Sequence, residues 1–228
     1  EKIETNSSAS ARQKSQAGNY WDTFLNLDLN YDKRNQKYRT TDGFISSYSV
    51  NLPIISENNS LTNAYVFNFY NELYEDNVTK FSFFAKAANS LTNDNIKLSE
   101  RIYLPGSRLR GFVSGGVGPK DGNDFIGGNY ATAVNIQTSL PQLLPNIQNM
   151  DVSMFLDAGN VWGVDYDSSL DDTNKIRSSI GIGIDWYTLI GPLSASFTHP
   201  ISKVNTDKTE TFKFNLGTTF WYLKKIFF

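Results

Sequence analysis

The residues with the clearest chemical potential lie in segment 106–112, where Arg108 and Arg110 stand between Gly106 and Gly111. Apolar and polar residues alternate with period two on both sides, so this segment is predicted to be a loop set into a β framework. A guanidinium group is a planar fork of donors that suits a carboxylate in bidentate geometry. Arg110 could therefore pin the loop to the framework, although a plain solvated side chain fits the local sequence equally well.

Other reaction chemistry has little support in the sequence. His199 is the one histidine, which leaves no histidine metal cluster and no Ser-His-Asp triad. The chain has no cysteine, which excludes disulfides and thiolate metal sites. The loop aspartates lack EF-hand spacing, and no glycine motif for phosphate is present. We therefore expect neither an enzyme nor a cofactor.

The composition is compatible with a membrane protein that crosses the bilayer with strands. Aromatic residues make up 14% of the 228 residues, although hydrophobic residues reach only 39%. No run approaches the roughly 18 to 20 apolar residues of a membrane helix. A membrane strand needs only about 9 to 11 residues, of which every second one is apolar. The net charge of −2 provides no cationic surface for nucleic acid, so no nucleic-acid partner is expected.

Nine segments alternate apolar and polar residues, and all are long enough for tilted membrane strands. On one face of the first, Trp21 and Tyr31 bracket three leucines, which is typical of an aromatic girdle around a hydrocarbon band. The predicted strands are 20–32, 44–54, 64–74, a fourth that includes 81–87, then 129–140, 150–162, 176–186, 191–201 and 211–220. The pattern predicts an all-β, antiparallel transmembrane β-barrel. A soluble β-sandwich remains open on patterning alone.

The chain divides into an arm and a barrel segment. Residues 1–19 are polar and are predicted to be a flexible arm or the remnant of an extracellular loop. Residues 20–228 form the barrel segment, and 90–128 is a long loop that we expect to enter the lumen. Single-chain bacterial barrels have an even number of strands, so the odd count indicates that part of the barrel is missing. Because the polar arm at the front resembles half of a surface loop, we expect this to be the C-terminal part of a larger barrel.

The second half of the chain carries a series of ordered motifs. They are LRGF at 109–112, GPK at 118–120, IGGN at 126–129, FLDAGNVW at 155–162, SIGIGIDW at 179–186, GPL at 191–193 and FNLGTTF at 214–220. This series resembles the BamA family of outer-membrane protein assembly factors, whose superfamily includes TamA and the two-partner secretion transporters. The resemblance implies that the chain supplies the last nine strands of a barrel of about 16 strands, preceded by POTRA domains.

The resemblance also implies a set of site residues. The loop motif is Leu109, Arg110, Gly111 and Phe112, and its arginine would pair with Asp157 on the barrel wall. Alternation independently puts Asp157 on the polar face of its strand. Gln137 stands where family members usually have a second acid, so the anchor should be weaker or should rest on Asp157 alone. Phe214, Gly217 and Phe220 would form the terminal-strand signal by which outer-membrane proteins are recognised for assembly.

The function implied by the resemblance is the folding and insertion of β-barrel proteins, without covalent chemistry, in the outer membrane of a Gram-negative bacterium. The implied partners are membrane lipid, unfolded outer-membrane proteins as clients, and the lipoproteins of an assembly complex. A polypeptide translocation pore of the same superfamily and a passive porin-like barrel remain alternatives.

Overall fold

The chain folds around one antiparallel sheet of nine strands. The computed structural model describes residues 2–7, 9, 11–56, 59–74, 76–92, 94–143, 147, 149–188 and 191–216. The strands are β1 Asp22–Asp32, β2 Gly43–Ser56, β3 Ser60–Tyr74, β4 Asn77–Ser90, β5 Tyr130–Ser139, β6 Met150–Trp162, β7 Arg177–Thr188, β8 Gly191–Ser202 and β9 Phe212–Leu216. Each pairs with its neighbours in sequence, which is the up-and-down order of a barrel wall.

All nine predicted strands are present, and the predicted bounds of β6 are those observed. The largest difference is in β4, which begins at Asn77 because its first residues pair with the end of β3. The predicted residues 217–220 of the last strand lie outside the described residues.

The outward face of the sheet is apolar and exposed. Leu29 in β1 is 70% exposed, and Leu156 in the middle of β6 is 44% exposed. The same face includes Leu25, Leu27, Phe69, Ile136, Met154, Ile180, Ile182, Phe197, Phe212 and Phe214. An apolar surface that continues over so many strands suits lipid rather than water. A β-sandwich would bury this face against a second sheet, so the sandwich alternative is excluded by the described residues.

The opposite face is polar and is covered by the loop that joins β4 to β5. This loop carries a two-residue ladder between Lys120–Asp121 and Asp124–Phe125, and a short 3-10 helix at Leu98–Glu100. The hydrophobic core lies between the loop and the wall, and it consists of Phe84, Ala88, Ile96, Ile102, Leu104, Leu109, Phe112, Val117, Ala131, Ala133 and Val161. The core of the molecule is therefore inside the curved sheet.

The sheet is curved but open in the described part of the chain. Arg39, in the turn between β1 and β2, donates to Asp151 at the start of β6 over 2.9 Å, so distant strands approach each other across the polar face. The order of the sheet ends at β1 on one side and at β9 on the other, and over the described residues these two edge strands do not pair with each other. The observed architecture is an antiparallel barrel wall that covers part of a circumference.

The N-terminal residues have more structure than the polar sequence predicts. Lys2–Ile3 pairs with Gly18–Asn19, and the helix α1 spans Ala11–Ser15. The Gln16 side-chain oxygen accepts a hydrogen bond from the Leu98 amide over 2.7 Å. Contacts with the β4–β5 loop order this segment, and a local apolar pattern could not have revealed them. No helix in the described residues is both long and apolar enough to cross a membrane.

Candidate functional site

The motif segment of the β4–β5 loop turns sharply against the wall. The Arg108 amide donates to the Pro105 carbonyl over 2.8 Å, which closes a turn just before the motif. Gly111 has φ +89°, a conformation that disfavours residues with a side chain. A Cβ at Gly111 would lie 3.2 Å from the Thr198 side chain on β8. Glycine at this position therefore permits both the backbone conformation and the close approach to the wall.

The Arg110 side chain contacts the two wall residues that stand at the positions implied by the family resemblance. Its Nε donates to Asp157 Oδ2 and its Nη2 to Asp157 Oδ1, each over 2.8 Å. Its Nη1 donates to Gln137 Oε1 over 2.9 Å. The Arg110 amide also donates to Asp157 over 3.0 Å, and its carbonyl accepts from the Ser179 hydroxyl. Three neighbouring strands thus bind one residue of the loop.

The Phe155 ring packs against one face of the Arg110 guanidinium group. The Arg110 Cζ lies 3.4 Å from the centre of the Phe155 ring, which is a close cation–π contact. Phe155 pairs in register with Gly181 on β7, where a Cβ would lie only 2.5 Å from the ring. Sequence reasoning missed Phe155. The available signal was an aromatic residue on the polar face of β6, in step with Ser153 and Asp157.

The other motif residues pack and pair rather than bind charge. Leu109 and Phe112 are each 1% exposed and belong to the core under the loop. Phe112 forms an antiparallel bridge with Thr209, in the loop between β8 and β9. The Val113 amide donates to the Lys208 carbonyl over 2.9 Å and extends this pairing. The motif segment is therefore held between the wall and the β8–β9 loop.

Apolar packing and the Arg110 ion pair contribute different amounts of free energy to the position of the loop. Burying one large apolar side chain contributes about 1.5–3 kcal/mol, so the loop side chains of the core contribute on the order of 10 kcal/mol together. A buried ion pair contributes little net stability relative to a well-packed apolar replacement, because desolvation offsets the attraction. Packing therefore keeps the loop against the enclosed face of the sheet, and the directed hydrogen bonds of Arg110 fix the position of the loop relative to the strands.

Three other charged residues, Arg108, Asp185 and Arg177, lie on the enclosed side of the wall with Arg110. Arg108 lies over the Phe84 ring at 5.2 Å, and burial lowers the pKa of its guanidinium. Asp185 lines a cavity of about 300 Å³ that Arg110 also lines. Arg177 belongs to a different cluster.

The Arg177 cluster joins two loops to the wall. The Arg177 guanidinium is fully buried and donates to Asp207 over 2.8 Å, to Asp172 over 2.9 Å and to Asn160 over 2.7 Å. Asp172 lies in the β6–β7 loop, and Asp207 lies in the β8–β9 loop that pairs with the motif segment. No sequence signal identifies Asp172 and Asp207 as partners of Arg177, because both lie in loops far along the chain from the LRGF motif and outside the alternating pattern of the strands. In the described residues, no group of His, Cys, Asp and Glu side chains could hold a metal ion.

The predicted terminal signal is described only in part. Phe214 in β9 pairs with Ala195 of β8, and its side chain is 57% exposed on the apolar face. Gly217 and Phe220 lie outside the described residues.

A family of known proteins shares this sequence pattern. A profile of the Omp85 superfamily domain matches residues 1–220. The chain belongs to the Omp85 superfamily. This confirms the resemblance proposed from the motifs, and the Omp85 chain is accordingly an outer-membrane protein of a Gram-negative bacterium.

Individual relatives agree with this membership. The Omp85 chain is 27% identical to the outer membrane protein assembly factor BamA of Neorickettsia risticii over 150 residues, which cover 64% of the chain and 20% of that relative. It is 30% identical to BamA of Neisseria meningitidis serogroup B over 153 residues, which cover 55% and 19%. A SAM50-like protein of Schizosaccharomyces pombe is 30% identical over 129 residues, which cover 53% and 27%.

Among solved structures, the crystal structure of BamA from Haemophilus ducreyi lacking POTRA domains 1–3 matches with a TM-score of 0.79 and 28% identity. The match covers 86% of the Omp85 chain and 42% of that structure. The prediction of a partial transmembrane barrel is thereby confirmed. The chain spans about a fifth of the length of its curated BamA relatives. These relatives are assembly factors rather than enzymes.

Proposed function

We propose that this Omp85 chain forms the C-terminal wall of a barrel that folds β-barrel proteins and inserts them into the outer membrane. Its clients would be unfolded outer-membrane proteins, and its other partners would be membrane lipid and the lipoproteins of an assembly complex. Catalysis would be non-covalent. A sheet edge offers backbone donors and acceptors to an incoming strand, and the loop keeps the wall in register while the strand is added.

The observation that carries this proposal is the binding of Arg110 to Asp157 and Gln137 on the polar face of the wall. A passive barrel needs only a polar lumen and has no need for a loop fixed by directed bonds to three adjacent strands. The BamA relatives are outer membrane protein assembly factors, which supports the same class of function.

The test is to replace Arg110 with Ala and measure the assembly of client proteins in vesicles of outer-membrane lipid. Because the change leaves the Asp157 carboxylate buried and unpaired, local stability should fall by about 3–5 kcal/mol. We expect client assembly to fall while strand content stays the same. Arg108→Ala is the matched control, since it removes a guanidinium from the same loop with no ion pair to Asp157. Unchanged client assembly in Arg110→Ala would contradict the anchor role of Arg110, and no client assembly by the unsubstituted chain would contradict the proposed function.

The destination of the client distinguishes the alternatives. Clients that end up folded in the membrane support assembly, whereas clients released on the far side of the vesicle would indicate a translocation pore. Steady ion conductance without any effect on clients would indicate a passive porin-like barrel.

A further inference from the structure

A second buried cation holds the β4–β5 loop at its other end. The Lys97 side chain is 1% exposed, and its Nζ donates to the two carboxylate oxygens of Asp22 over 3.0 and 3.2 Å. Asp22 is the first residue of β1, and its Oδ1 also accepts from the Ser56 hydroxyl of β2 over 2.7 Å. The Lys97 ammonium lies 4.2 Å from the centre of the Tyr20 ring. The ammonium is therefore paired and enclosed.

This pair lies far along the wall from the Arg110 site. Lys97 binds β1, whereas Arg110 binds β5 and β6, and the sheet order separates β1 from β6 by four strands. At about 4.8 Å between adjacent strands, the two attachment points are roughly 24 Å apart along the wall. The loop between them packs Ile102, Leu104 and Leu109 into the core. One continuous segment is thus fixed at two distant strands and packed against the wall between them.

The chemistry of Lys97 suits positioning better than general stability. Removing an ammonium group from water is unfavourable, and an apolar side chain of similar length would be buried there without that cost. A buried ion pair does supply direction, because only one placement of the loop satisfies both groups. The pair therefore selects a position for the loop end relative to β1, as Arg110 does relative to β6.

We propose that Lys97 is a second anchor, and that the loop acts as a brace that sets the distance between β1 and the β6–β7 part of the wall. The inference rests on the proposed function, because a wall held at a fixed curvature presents its edge strands to a client in a fixed geometry. Release of either anchor would let the wall change its curvature.

The experiment measures the width of the wall directly. Because the chain has no cysteine, Leu25→Cys on β1 and Ile180→Cys on β7 give two unique sites for nitroxide labels. Both side chains lie on the exposed apolar face, with exposures of 45% and 41%. Pulsed electron–electron double resonance of the doubly labelled chain in lipid nanodiscs gives the distribution of distances between the two nitroxides. We expect Lys97→Met to broaden it about as much as Arg110→Ala does.

Matched variants keep the result interpretable. Lys120→Met makes the same change in the same loop, where the Lys120 ammonium lies over the nearby Phe125 ring at 5.1 Å, and it should leave the distribution unchanged. Asp22→Asn leaves the buried Lys97 ammonium without its carboxylate, so it should broaden the distribution as Lys97→Met does. If Lys97→Met does not fold, as judged by the heat-dependent gel shift of barrel proteins, Asp22→Asn carries the test.

The outcomes separate this inference from the proposed function. A distribution that stays narrow in Lys97→Met or Asp22→Asn, while Arg110→Ala broadens it, would overturn the second anchor. A distribution that stays narrow in all variants would overturn the brace as a whole. If the distribution broadens in Lys97→Met and client assembly stays at the level of the unsubstituted chain, the brace stands and its link to assembly is refuted. If the unsubstituted chain assembles no clients, the proposed function fails whatever the distances are. Broadening with a parallel loss of client assembly supports both.

Discussion

At the residue scale, the acceptors around Arg110 are unequal. Asp157 supplies a full negative charge and is completely buried, whereas Gln137 supplies only an amide oxygen. Gln137 also donates to the Ser153 hydroxyl over 3.1 Å, and it stands opposite Lys80 in the register of β4 and β5. A single carboxylate thus neutralises a guanidinium that has a second cation nearby. The position of Gln137 would accept a second acid without a change of fold.

A second acid should therefore strengthen the anchor. We predict that Gln137→Glu raises the free energy of unfolding by about 1 kcal/mol, because the new carboxylate adds Coulomb attraction to Arg110 and Lys80 and its desolvation offsets only part of that gain. Urea titration of the chain in lipid vesicles measures this difference. The same substitution in an Arg110→Ala background is the control, and a gain of equal size there would show that the introduced carboxylate does not act through Arg110.

At the element scale, the strands were predictable and the loop contacts were not. Period-two alternation revealed β1 and β6 because each residue reports its own face. The arm before β1 was predicted to have no structure. It is ordered by contacts with the β4–β5 loop, such as the hydrogen bond between Gln16 and Leu98, which a local pattern does not show. The predicted pairing of Arg110 with Asp157 came from family resemblance. The partners of Arg177 and Lys97 had no such guide, because they join elements far apart in the chain.

The Arg177 cluster should control the β8–β9 loop and, through it, the motif segment. We predict that Arg177→Ala leaves the buried Asp207 carboxylate without its cation, leaves Asp172 only its longer pair with Lys175 at 3.5 Å, and costs about 3–5 kcal/mol locally. The amides of Lys208 and Val113, which take part in the pairing of the two loops, should exchange hydrogen faster. Mass spectrometry of exchanged peptides measures this. Lys203→Ala removes an exposed cation from the same loop and should have no effect, and unchanged exchange around Lys208 in Arg177→Ala would refute the prediction.

Gly181 in β7 should be needed to leave space for the Phe155 ring that packs against Arg110. A Cβ there would lie 2.4 Å from the Phe197 carbonyl oxygen and 2.5 Å from the Phe155 ring. Overpacking of this kind costs about 1–3 kcal/mol, so Gly181→Ala should lower the free energy of unfolding by that amount. Gly183→Ala is the matched control on the same face of the same strand, where the nearest atom is the movable Ser153 hydroxyl at 3.0 Å. Equal losses in the two variants would mean that Phe155 is not the cause.

At the scale of the whole molecule, two surfaces of the wall have opposite roles. The exposed face is apolar along the strands, and the enclosed face holds the buried ion pairs, the core and the loop. This inversion of the usual soluble arrangement explains why a chain with 19% charged residues can belong in a membrane. The charges are concentrated in the turns, the loops and the enclosed face.

The inversion makes a quantitative prediction for the outward face. Leu156 lies in the middle of β6 and is 44% exposed, so Leu156→Arg should place a guanidinium against the hydrocarbon. An arginine on the lipid face costs about 2–4 kcal/mol at the bilayer midplane and about 0–1 kcal/mol near the interface. Tyr38→Arg is the control, because Tyr38 is 87% exposed in the β1–β2 turn and should tolerate the change. Urea titration in lipid vesicles gives both values. If the two substitutions cost the same, the apolar face does not contact lipid and the barrel assignment fails.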